Sequence, residues 1–182
     1  MKILLFTLPF TSLFSFFTAA QDLNWNTSAI PNNSLSFNFG SIGSPASSVT
    51  YAVTGPGTIT AGPTRFTTAQ GDNAWRTAIT FAAVSDLKTY TLTFNPAVCN
   101  LSFIIYDIDG NNTSGDRAII NANYLGSAQN ITMTALDPGF PGGAPTITGS
   151  GTSTATGTGT QGNQTDDRVQ ISIAGCTSTL TI

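Results

Sequence analysis

The sequence predicts an all-β protein, an antiparallel β-sandwich of jelly-roll or immunoglobulin-like type, on three observations. Apolar and polar residues alternate with period two through most of the chain after Ala20. The alternating segments are short and separated by turns rich in Gly, Pro and Asn. Helical patterning is confined to Ser85–Lys88, too short to form an element. Successive side chains on a strand point to opposite faces, so this period marks half-buried strands. Many short strands with frequent turn signals mark a sandwich.

Taken in order, Leu35, Phe37 and Phe39 alternate with Ser and Asn, and Val49, Tyr51 and Val53 follow. Ile79, Phe81 and Ala83 make a third set. Tyr90, Leu92 and Phe94 then alternate with three threonines, the clearest case. In Leu101–Asp109 the second face is apolar too, through Ile104, Tyr106 and Ile108, which predicts a central strand covered on both sides. Ile131, Met133 and Ala135 precede Val169, Ile171 and Ile173, and last come Leu180 and Ile182. Val, Ile, Thr, Phe and Tyr dominate these segments, as suits a pleated surface. Gly55-Pro56-Gly57, Gly62-Pro63, Asp109-Gly110-Asn111-Asn112 and Asp137-Pro138-Gly139 supply the reversals. Thr148–Gly162, rich in Gly, Thr and Ser, reads as a long hairpin or an exposed loop that builds no core on its own.

Residues 1–20 read as a secretory signal peptide. Lys2 gives the positive start, Ile3–Phe17 is almost uninterruptedly apolar, and Thr18-Ala19-Ala20 places small residues before Gln21. The stretch is short against the roughly 20 residues of a membrane span, and no stop-transfer charges follow. Residues 21–182 then form a single secreted or cell-surface domain with no membrane span of its own. The last segment stays strand-like to Ile182. Either it is an edge strand or the chain is the N-terminal part of a longer protein, and the second is the preferred expectation. Two cysteines remain, and in an oxidising compartment Cys99 and Cys176 are expected to form a disulfide.

Composition narrows the chemistry. Charged residues are only 8% of the chain and the net charge is −3, so there is no basic footprint for nucleic acid. With no His, the Ser–His–Asp and Cys–His arrangements are excluded. All nine acidic residues are Asp, which leaves only Asp pairs for acid–base work. The expectation is a non-catalytic domain. A carbohydrate-binding module is the first alternative, and a small glycan-processing enzyme built on two Asp is the second.

Two constellations are candidate sites. Asp107, Asp109 and Asn111, with Asp116 close behind, offer the hard oxygen ligands that Ca²⁺ accepts. If the preceding strand continues regularly, Asp107 and Asp109 share a face, where two carboxylates repel unless something positive lies between them. Arg117 is the rival counter-charge. A structural Asp–Arg network is preferred to calcium, and plain turn residues are the third reading. The other candidate is Trp75 with Asn73, an aromatic platform beside an amide that suits a sugar face. Its competing reading is that Trp75 fills the core.

The run Asn100–Asp109 followed by Asp116-Arg117-Ala118-Ile119-Ile120 resembles the β-sandwich modules of large bacterial cell-surface proteins, including type IX-secreted, gliding-motility-associated adhesins. Such modules pair an apolar strand ending in Asp-x-Asp with a later Asp before the next strand. Segments like Arg168–Ala174 and Ser178–Ile182 follow in the same order, so the resemblance spans Thr89–Ile182. It implies cell adhesion or a surface filament or stalk role, with no activity of its own. The partners implied are a surface ligand, glycan or protein, and the secretion or outer-membrane machinery. The cysteine pair and the missing C-terminal sorting domain depart from the pattern.

Overall fold

The computed structural model describes residues 34–42, 46–67, 73–83, 85–108, 116–136, 145–159 and 168–182. These residues contain eleven strands and no helix. In chain order the strands are β1 (Ser36–Ile42), β2 (Ser47–Thr54), β3 (Thr58–Thr67), β4 (Asn73–Thr80), β5 (Thr89–Ile105), β6 (Arg117–Tyr124), β7 (Ser127–Gln129), β8 (Thr132–Ala135), β9 (Thr146–Thr148), β10 (Thr154–Thr158) and β11 (Val169–Thr181). Every pairing is antiparallel, as the alternation predicts.

The main sheet runs β1-β2-β5-β11-β6-β10-β9, with β7 added to β6 and β8 added to β11. Two long strands organise it. β5 joins two sequence segments, Thr89–Phe94 and Leu101–Ile105, into one strand of 17 residues, and β11 spans 13. Their register is interrupted between Ile173 and Cys176 and again between Thr177 and Thr179. Such bulges bend a ribbon and increase its twist. The bend lets a single edge of β11 serve two partners: Val169–Ser172 pair with β8, and Thr179–Thr181 pair with β6.

The inward faces meet in one apolar cluster. Val49, Tyr51, Leu92, Phe94 and Leu180 belong to the first part of the ribbon and its neighbour β2. Val169, Ile171, Ile173, Ile131 and Met133 belong to the second part and the β8 side, and Ile120, Ala122 and Ala155 to the β6–β10 side. Each fully buried aliphatic side chain contributes about 1.5–3 kcal/mol relative to exposure. The β3–β4 hairpin forms a separate two-stranded sheet, and its Ile59 and Trp75 pack against this core.

Part of the Gly/Thr-rich stretch is folded. Thr146–Thr148 and Thr154–Thr158 pair as the β9–β10 hairpin, and β10 pairs with β6. Ala155 is completely buried. A Cβ on Gly157 would meet Met133 Sδ at 3.2 Å and Val169 Cγ1 at 3.5 Å. The glycine is therefore a close-packing residue between layers, and the stretch is held by neighbours with larger side chains.

Two expectations and one alternative reading need correction. Leu101–Ile105 is central in strand order but not covered on both faces, because Ser102 is exposed and Ile104 is 36% exposed. Phe81 lies beyond the end of β4 and is 42% exposed, so the third alternating set stops at Thr80. The last strand is not an edge, since β11 has β5 on one side and β8 or β6 on the other.

Cys99 and Cys176 are directly opposed in the β5–β11 register and form a disulfide. It lies between the two register interruptions. The cross-link closes a loop of 77 residues. In the chain-entropy description that is worth about 4 kcal/mol. The Cys99→Ser/Cys176→Ser variant should therefore unfold at a lower denaturant midpoint than the oxidised protein, and equal midpoints would remove this role for the disulfide.

Candidate functional site

The Asp-rich turn begins where β5 ends. The strand stops at Ile105, Asp107 takes a left-handed backbone with φ 63°, and Ile108 turns inward to become 3% exposed. Asp residues tolerate that conformation better than most, so the turn is locally encoded. The regular continuation that would set Asp107 and Asp109 on one face does not occur. Asp107 and Asp116 are exposed, as is Arg117 at the start of β6. Asp109 and Asn111 lie outside the described residues. Among the described residues no group of three or more metal-binding side chains comes together.

Trp75 sits on β4 within an aromatic cluster. Its ring meets Tyr51 edge-on at 4.3 Å, with Phe39 and Tyr90 each 6.4 Å away. Tyr51 and Tyr90 stack with centroids 6.5 Å apart. Edge-to-face rings add attraction beyond the area they bury. Trp75 is half-buried and packs against the core, which is its competing sequence reading. Asn73 opens β4 opposite Thr67, and only its backbone is described.

A further surface was not singled out from the sequence. The outward residues of six adjacent strands line up across the sheet in two rows. One row is Asn38, Thr50, Thr93, Thr179 and Asn123, and the other is Ser36, Ala52, Thr91, Thr181, Asn121 and Thr154. None of these side chains ionises. With strands about 4.8 Å apart, the face is about 24 Å wide. The signal was present in Thr89-x-Thr91-x-Thr93 and Thr179-x-Thr181, but only strand order and register bring the segments together.

On this face a shallow cleft of about 190 Å³ lies between Asn121, Asn123, Ser153, Thr154, Thr179 and Thr181, with Ala122 and Ala128 completing its lining. The Thr154 hydroxyl donates to Asn121 Oδ1 at 2.7 Å, and Gly126 N–H donates to Asn123 Oδ1 at 2.9 Å. The Ser178 hydroxyl donates to Asn123 O at 3.1 Å. Both asparagine side chains are thereby oriented, each with its NH₂ group unused in that bond.

Comparison of the chain with known protein families, curated proteins and solved structures returns no match.

The aromatic cluster makes a pH prediction. Burial pushes the Tyr51 hydroxyl up to about 12, and the nearby Tyr90 adds to the shift. The hydroxyl also donates to Ser34 O at 2.8 Å. Burial raises Tyr90 as well, against a hydrogen bond from Thr77 that lowers it. A group whose proton is held more tightly when folded stabilises fully below its unfolded pKa near 10 and loses that contribution as pH rises toward 12. Ultraviolet titration of the folded protein should show a phenolate step near pH 12 that vanishes in Tyr51→Phe, with unfolding free energy falling over the same window. A Tyr51 step at pH 10 would contradict the packing described.

Proposed function

We propose that the chain is a secreted, non-catalytic cell-surface module that acts as an adhesin or as part of a surface filament or stalk. The observation that carries this reading is the broad outward face of the main sheet, a wide contact surface with a shallow cleft. The disulfide adds support because such bonds persist in oxidising, extracellular compartments. The export-type leader and the resemblance of Thr89–Ile182 to type IX-secreted adhesin modules point the same way. The partner in this reading is a surface ligand, reached after passage through secretion or outer-membrane machinery.

A carbohydrate-binding module is the second reading, and the amides and hydroxyls that open into the cleft favour it. Trp75 contributes packing to such a module, since its ring stands among Phe39, Tyr51 and Tyr90.

Two experiments test the proposal. Deleting the chain from its native host should lower attachment to surfaces several-fold, and accessibility to protease on intact cells should place the protein outside. Unchanged attachment would overturn the adhesin reading. Calcium held by Asp107, Asp109, Asn111 and Asp116, the second reading of that turn after an Asp–Arg network, is read separately, by thermal unfolding in millimolar Ca²⁺ and in chelator. A higher midpoint with Ca²⁺ that is lost in Asp107→Asn/Asp109→Asn would put calcium in place of the preferred Asp–Arg network, and equal midpoints would remove the metal from the proposal.

A further inference from the structure

We infer that the outward face of β1-β2-β5-β11-β6-β10 binds a flexible, neutral polysaccharide, seated at the cleft between Asn121, Asn123, Thr154, Thr179 and Thr181. The inference rests on the surface-module reading and gives it a ligand class.

Charge decides the first step. The two rows contain only Thr, Asn, Ser and Ala, and Arg117 shares their side of β6 at the strand's first residue, two outward positions from Asn121. Arg76 is on β4, Asp86 and Lys88 precede β5, and Asp107, Asp116, Arg117 and Arg168 lie at or near strand ends. Lys88 is turned to other work, donating to Gly55 O at 2.9 Å and Gly57 O at 2.8 Å. A polyanion laid on this face would shed water over both rows and meet one counter-charge at the rim, Arg117, and a polycation would meet none in the rows, which is unfavourable.

Side-chain type decides the second. Protein–protein contacts draw most of their energy from buried Tyr, Trp and Arg anchors, and these rows have none. Hydroxyls and amides each donate and accept, the same mixed chemistry that sugar hydroxyls present. Each such hydrogen bond replaces one to water and gains little alone. A repeating ligand can make the same contact at several points of a repeating face, so affinity grows with the number engaged.

Shape decides the third. Neighbouring strands twist by roughly 20°, so six strands turn by about 100°. A rigid planar lattice, crystalline polysaccharide or ice, would stay in register with only part of such a face. A flexible chain can follow it. The cleft supplies the concave anchor, with Asn121 fixed by the Thr154 hydroxyl.

The test is affinity electrophoresis of the exported chain through gels containing dextran, laminarin or galactomannan, with alginate as the acidic comparison. At least one neutral glycan should retard the protein and alginate should not. Thr91→Val/Thr93→Val/Thr181→Val removes three hydroxyls while keeping β-branched shape, and should weaken binding at least about tenfold with an unchanged thermal midpoint. Asn121→Asp, which puts a charge in the cleft, should do the same. Retardation by none of the three neutral glycans, equal retardation by alginate, or undiminished retardation of the valine variant would each overturn the inference. Cell attachment separates this from the broader reading. Attachment that persists while no neutral glycan retards the chain overturns the ligand alone, whereas glycan binding without attachment upholds the ligand and overturns the adhesin role.

Discussion

The fold depends on the bent β5–β11 ribbon. These are the two longest strands, and together they touch β2, β6 and β8. Because the ribbon bends, its inward side chains can face one another across the core. Leu92 and Leu180 sit in one part, and Val169 and Ile171 in the other. The register interruptions at Ile173–Cys176 and Thr177–Thr179 are therefore part of the architecture, and the disulfide pins the strands together between them.

The fold class was legible because period-two alternation survives any tertiary context that buries one face of a strand. Val49-x-Tyr51-x-Val53 and Val169-x-Ile171-x-Ile173 announce their buried faces directly. Strand length was less legible. Asn95-Pro96 and the left-handed Asn100 look like breaks between Phe94 and Leu101, yet the chain remains paired to β11 on both sides of them. β10 was obscured for another reason. Ala155 and Gly157 bury almost no side chain, so their packing is written in Met133 and Val169 instead.

Site reasoning divided along the same line. The Cys99–Cys176 pairing followed from the count of cysteines and the expected compartment, without geometry. The shared face for Asp107 and Asp109 required a regular strand, and the left-handed turn at Asp107 ends it. The Thr/Asn face was hidden because a surface spread over six strands has no local signature. Its residues span Ser36 to Thr181 in sequence and become neighbours only through strand order.

The disulfide has a mechanical consequence. A pull on the chain from outside Cys99 and Cys176 passes through the sulfur–sulfur bond, so the 77-residue loop between them bears none of the tension. That loop contains β6 to β10, and with them Asn121, Asn123, Ser153 and Thr154 of the cleft. The short circuit would spare these residues from being drawn out along the line of force, even while the strands outside the loop are under load.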